Sequence, residues 1–160
     1  MKKILFVCTG NTCRSPMAAA MFNHMARERG LEQTHQAESA GIYPVPGDPA
    51  TAGAVHAMDS LFGIDLRGHA SRLLDDRDLR DAWLVLAMTR RHVESIRDAF
   101  PGLADRVFTL KEYAGGDVRD RDISDPYGTS DAAYLACARE IREALERAAD
   151  RLFEQDETGI

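Results

Sequence analysis

Residues 3–16 read Lys3-Ile4-Leu5-Phe6-Val7-Cys8-Thr9-Gly10-Asn11-Thr12-Cys13-Arg14-Ser15-Pro16. The apolar run at 3–7 is a short buried-strand signal, and Ser15-Pro16 is a helix start, with serine as N-cap and proline at the first helical position. Between them lies a tight loop whose backbone N–H groups can point inward above the next helix, forming a concave anion site. Arg14 adds a planar fork that holds two phosphate oxygens at once, where a lysine would offer only a point charge. The same positive potential favours a thiolate at Cys8, lowering its pKa from about 8.5. A bound dianion then sits above a nucleophile, so the chemistry implied is phosphoryl transfer to sulfur. The phosphate-binding candidates are Thr9, Gly10, Asn11, Thr12, Cys13, Arg14 and Ser15. Two nucleotide loops are excluded: no Gly-x-Gly-x-x-Gly follows the strand, and the Gly-Lys-Ser/Thr ending of a nucleoside-triphosphate loop is missing.

Outward from this loop, Met17, Ala18, Met21, Phe22 and Met25 keep one apolar stripe, predicting a helix over 16–29 that stops at Gly30. Residues 36–42 read as a weak strand. Pro44, Pro46, Gly47 and Pro49 make a stiff loop, after which Asp48 or Thr51 caps a helix running to 62. A short helix is expected at 73–80, the clearest buried strand at 83–88, a helix at 91–100 and a last strand at 107–110. A polar loop at 114–128 leads into a long amphipathic helix at 130–153. Four strands alternating with helices predict one α/β domain over 1–160: a four-stranded parallel sheet flanked by helices in three layers, the phosphate-binding loop following the first strand.

The 160-residue chain is 44% hydrophobic and 29% charged, an ordinary globular composition. Its net charge of −6 argues against nucleic acid as a partner, which needs a cationic patch. No membrane association is expected. The opening apolar stretch is shorter than the ~7–15 residues of a signal-peptide core, so a cytoplasmic, reducing setting and a monomer are expected. The three cysteines are Cys8, Cys13 and Cys137. Cys8 and Cys13 lack further ligands at metal spacing, so no metal is expected, and no organic cofactor either, because loop dipoles and Arg14 supply the charge stabilisation. Cys13 is either a redox partner that closes a reversible disulfide with Cys8 or a structural thiol. Cys137 reads as helix packing. His24, His35, His56 and His92 lie in no motif and read as surface or satisfied core residues.

A cysteine, five residues, then Arg14-Ser15 near the chain start resembles the low-molecular-weight protein tyrosine phosphatase family. So do Ser39-Ala40-Gly41, Gly68-His69-Ala70 and Asp125-Pro126, and the match runs along nearly the whole chain. The resemblance implies a phosphatase with Cys8 as nucleophile, Arg14 as phosphate ligand and Asp125 as general acid. It also implies that Asn11, Ser15, Ser39 and His69 form a network holding the loop, with Ser15 assisting the leaving thiolate. Asp117, Asp120 and Asp122 share the loop of Asp125 and read as solvated charges. Pro126 stiffens the backbone beside the acid.

Thr12 stands where tyrosine-directed members carry a bulky aliphatic residue, and Asp125-Pro126-Tyr127-Gly128 lacks two adjacent aromatics after the proline. Both features resemble the bacterial protein-arginine phosphatase branch, as do Leu86-Ala87-Met88-Thr89 and Phe108-Thr109-Leu110-Lys111-Glu112-Tyr113. A threonine hydroxyl suits the polar edge of a phosphorylated guanidinium, whose N–H groups an aliphatic wall would leave unpaired. Asp48 or Asp122 at the mouth would favour a basic side chain. Tyr43 and Tyr127 either wall the pocket or pack the loops. The expected substrate is a phosphoarginine protein or peptide, with a tyrosine phosphatase as the alternative. A thioredoxin-linked arsenate reductase needs resolving thiols that residues 83–91 lack, and a non-catalytic phosphate-binding module is a further rival.

Overall fold

The computed structural model describes residues 1–117 and 119–154. Val118, in the expected polar loop, and residues 155–160, at the end of the expected domain, lie outside the described residues. The elements are β1 (Lys2–Cys8), α1 (Arg14–Glu28), β2 (His35–Gly41), α2 (Ala52–Phe62), α3 (Asp76–Asp81), β3 (Leu84–Ala87), α4 (Arg90–Ala99), β4 (Val107–Thr109), α5 (Leu110–Tyr113) and α6 (Asp131–Leu152). Among the described residues no helix is long and apolar enough to cross a membrane.

The strands are all parallel, in the order β2-β1-β3-β4. Side chains of β1 alternate between two cores: Ile4, Phe6 and Cys8 pack with α1, α2 and α6, whereas Leu5 and Val7 pack with Leu79 of α3 and with Val93 and Ile96 of α4. Burial on both faces explains why β1 and β3 read as continuous apolar runs. The three-layer α/β arrangement is as expected. From β1 the chain moves first to β2 and later to β3 on the opposite side, so right-handed crossovers place α1 and α4 on opposite faces. The loops after β1 and β3 therefore diverge, and the crevice between them is where such sheets bind ligands.

Several boundaries differ from expectation for local reasons. Helix α1 begins at Arg14 with Cys13 in the N-cap position and no side-chain cap, so Ser15 and Pro16 lie inside its first turn. Ser15 cannot cap, because its hydroxyl is engaged by Cys8 and Asn11. Thr51, not Asp48, caps α2 by accepting Ala54 N–H at 3.4 Å. The expected helix at 73–80 is helical only from Asp76, where Asp75 and Asp78 close a capping box, and Leu73 forms a bridge to Gly41. Leu110 leaves the last strand for the short turn α5, which Thr109 caps through Glu112 N–H.

Helices α2 and α6 approach closely at Gly53. A Cβ there would lie 2.4 Å from the Tyr134 ring, so only glycine admits the tyrosine. Gly53→Ala is expected to force the ring aside and cost about 1–3 kcal/mol, read as a fall in Tm of at least ~2 °C in thermal unfolding.

Candidate active site

The loop from Cys8 to Arg14 is built around Asn11, the one non-glycine residue with positive φ (56°) among the described residues. Its buried amide Nδ2 donates to Ser15 Oγ at 2.8 Å and to Ser39 Oγ at 2.9 Å, and its Oδ1 accepts Arg72 N–H at 3.0 Å. The Asn11 carbonyl accepts from Ser71 Oγ at 2.8 Å and from His69 Nε2 at 2.6 Å. Because a carbonyl only accepts, His69 carries its proton on Nε2; burial lowers the imidazole's pKa and keeps it neutral. The expected quartet of Asn11, Ser15, Ser39 and His69 is thus brought together, and Ser71 and the Arg72 amide join it. Backbone donors carry no sequence signal, and Ser71 lies only two residues past His69 with nothing in its type to single it out.

Ser39-Ala40-Gly41 is the end of β2, and Gly41 lets the loop approach it. A Cβ on it would stand 2.7 Å from the Thr9 carbonyl and 3.0 Å from Asn11 Cβ. Ile42 and Tyr43 N–H groups bond the Cys8 and Thr9 carbonyls at 3.0 and 2.9 Å, so β2 carries the loop's outer wall.

Cys8 ends β1, 3% exposed, with its Sγ 2.9 Å from Ser15 Oγ. Burial pushes its thiol pKa up, while Ser15, the Arg14 charge and Asn11 pull it down. Burial dominates, opposite to the direction expected from the sequence, because counting dipoles leaves out the desolvation of a nearly enclosed sulfur. Arg14 is also buried; its Nη1 donates to the Ile123 carbonyl at 2.8 Å and its Nη2 lies 3.5 Å from Asp125 Oδ2. Asp125 Oδ1 accepts Tyr127 N–H at 3.1 Å, and Ile123 N–H is pinned to the Met88 carbonyl beyond β3 at 2.9 Å.

A cavity of about 230 Å³ is lined by Cys8, Thr9, Gly10, Thr12, Cys13, Arg14, Tyr43, Val45, Asp48, Asp125 and Tyr127. Asn11 and Ser15 do not line it; both are fully buried behind the loop, as support. Tyr43 and Tyr127 are 81% and 67% exposed, so they rim the mouth and do not pack the loops. Of the two acids expected there, Asp48 lines the cavity and Asp122 is held by Arg90 N–H at 2.8 Å. Cys13 is a buried free thiol whose sulfur meets Thr12, Thr51 and Tyr134. Cys137 packs as expected, its thiol pushed up to about 12 by burial. Among the described residues no histidine, cysteine and acid cluster forms a metal site.

His92 departs from expectation. It is 7% exposed, its Nε2 lies 2.8 Å from Thr9 Oγ1, and its buried Nδ1 has no partner among the described residues.

Strand, loop and buried cation bring Cys8 and Arg14 to one cavity at the mouth of a parallel α/β sheet, an arrangement that suits an oxyanion. The chain belongs to the low molecular weight phosphotyrosine protein phosphatase family, which it matches over residues 3–158. It is 41% identical to a protein-arginine-phosphatase of Bacillus subtilis (strain 168), the match covering 93% of this chain and 95% of that one. Identity is 35% to the low molecular weight protein-tyrosine-phosphatase YfkJ of the same organism, covering 96% and 94%. Among solved structures, a mutant of the YwlE arginine phosphatase with a phosphorylated active-site serine superposes with a TM-score of 0.89 at 40% identity, covering 96% of this chain and 97% of that one.

Burial, then the nearby Arg14 charge, depress His92 from 6.5 to about 4. Between those values the unfolded chain takes up a proton that the folded one refuses, so this residue makes stability fall as pH drops from 6.5 to 4. His92→Gln is expected to remove that component, on the order of 3 kcal/mol at most, flattening the pH dependence of urea unfolding in this window.

Proposed function

We propose that the protein hydrolyses phosphoarginine in proteins through a cysteinyl-phosphate intermediate. The observation that carries the substrate class is Thr12: its side chain stands in the wall of the same small cavity as Cys8 and Arg14, with the carboxylates of Asp48 and Asp125 beside it. A hydroxyl and two acids complement a guanidinium, whose N–H groups all need acceptors. The similarity to the Bacillus protein-arginine-phosphatase supports this reading.

In the first step Cys8 Sγ attacks phosphorus, the P–N bond breaks, and Asp125 delivers its proton to the departing guanidine nitrogen. In the second, Asp125 takes a proton from water, the oxygen attacks phosphorus, the P–S bond breaks, and phosphate leaves as the thiolate is restored. Arg14 neutralises charge on the equatorial oxygens through a preorganised, buried fork. Ser15 donates its hydroxyl proton toward the thiolate in both directions. A phosphorylated active-site serine in the YwlE structure supports the covalent intermediate. A reducing, cytoplasmic setting suits a thiol nucleophile, and Cys13, which lines the same cavity, is a candidate redox partner for it.

The exposed rings of Tyr43 and Tyr127 at the mouth favour a second reading, phosphotyrosine hydrolysis, because an aromatic substrate side chain could stack between them. Matched phosphoarginine, phosphotyrosine and phosphoserine peptides decide between the two, with Cys8→Ser as blank. The expected outcome is the highest kcat/KM on phosphoarginine. Turnover of phosphotyrosine without phosphoarginine would overturn the assignment. Thr12→Ile is expected to move the ratio toward phosphotyrosine about tenfold, the scale of an unpaired buried N–H group.

Ser15→Ala tests the nucleophile separately. Losing a hydrogen bond to a charged sulfur is expected to raise the pH midpoint of Cys8 alkylation by iodoacetamide and to lower kcat roughly tenfold.

A further inference from the structure

Five large apolar side chains stand exposed among the described residues, and three of them, Tyr43, Val45 and Tyr127, line the cavity that holds Cys8 and Arg14. Single exposed apolar residues are ordinary on a protein surface, whereas a cluster at one mouth marks a place that receives something apolar. Val45 is 64% exposed and aliphatic, and neither reading of the phosphorylated side chain makes use of it.

The way Val45 is displayed follows from the local sequence. Tyr43 and Val45 each precede a proline, which drives both into extended backbone, and residues two apart in an extended segment project to one face. Pro46 and Gly47 then take the centre of a tight turn: Gly47 has φ 89°, and Asp48 N–H closes onto the Val45 carbonyl at 3.1 Å. Gly47 N–H bonds the Ser71 carbonyl and Ser71 N–H bonds the Asp48 carbonyl, both at 2.8 Å. Ser71 is the residue whose hydroxyl also holds the Asn11 carbonyl, so the turn and the phosphate loop share one support. A side chain fixed in this way meets a ligand with little ordering left to do.

A protein segment delivers a phosphorylated side chain into a cavity of about 230 Å³ by lying across its mouth. In an extended segment the neighbours of residue i point away, while the side chains at i−2 and i+2 point the same way as i, about 6.6 Å to either side. We propose that Val45 forms a subsite for an aliphatic side chain two residues from the phosphorylated one in the protein substrate. Such a side chain covers apolar surface on Val45 and on itself that otherwise stays in water, and a polar one gains nothing there. The subsite rests on the proposed hydrolysis at Cys8 and is indifferent to whether the phosphate sits on arginine or on tyrosine.

The test compares phosphoarginine peptides carrying leucine at both i−2 and i+2 with peptides carrying serine at both. Wild-type kcat/KM is expected to be about fivefold higher on the leucine peptide, the scale of roughly 40 Å² of apolar surface buried. Val45→Ser is expected to abolish that preference and Val45→Ile to keep it. Equal turnover of the two peptides by the wild-type protein would overturn the inference. So would a leucine preference that survives in Val45→Ser, including an equal loss on both peptides, since that marks a purely structural role. The same pair of peptides carrying phosphotyrosine separates this inference from the substrate reading: a leucine preference there, in a protein that leaves phosphoarginine untouched, would overturn the substrate class and uphold the subsite.

Discussion

A short strand-to-helix loop can turn its amides inward only if some residue within it turns left-handed, and Asn11 takes that turn at φ 56°. The conformation is disfavoured for any side chain, though asparagine tolerates it better than most. Five hydrogen bonds hold it there in a fully buried position: its amide donates to Ser15 and Ser39, its side-chain oxygen accepts Arg72 N–H, and its carbonyl accepts from Ser71 and His69. Those partners come from α1, β2 and the segment leading to α3. The loop's shape is therefore fixed by three separate parts of the chain, and anything that binds above it meets dipoles already oriented.

Two buried groups with opposite requirements share this frame. Arg14 is anchored on one side by the Ile123 carbonyl and faced on the other by Asp125, a half-exposed carboxylate. Cys8 sits where burial resists ionisation and where Ser15, Arg14 and Asn11 favour it. Ionisation at such a sulfur depends on the groups that touch it and not on general polarity. The arrangement also explains why Ser15 is spent on the sulfur although its place before a proline suited it to cap α1.

The sheet, its parallel order and the site loop were legible because they rest on local signals: apolar runs buried on both faces, and a cysteine and an arginine six residues apart between strand and helix. Asn11, Ser39 and His69 were legible only through family resemblance, since their partnership is made where the loop after β1 meets β2 and the segment leading to α3. Three things escaped. The α5 turn depends on a Thr109 cap that looks like strand sequence, and the helix beginning at Arg14 depends on what Ser15 does elsewhere. The His92 bond to Thr9 crosses from α4 to the loop, joining residues 83 apart in the chain. Tertiary competition for one side-chain group decided each of these, and that competition leaves no periodicity to read.

Cys13 shows how the same constraint reinterprets a residue. From sequence it is a thiol five positions from Cys8, read as either a redox partner or a structural thiol. In the fold its sulfur is surrounded by three hydroxyls, one of them on the last helix. A sulfur accepts weakly and donates weakly, so a position that needed only a strong polar link would be served better by serine. A thiol there behaves as a small apolar group that fills the space between α2, α6 and the loop while still tolerating the hydroxyls around it.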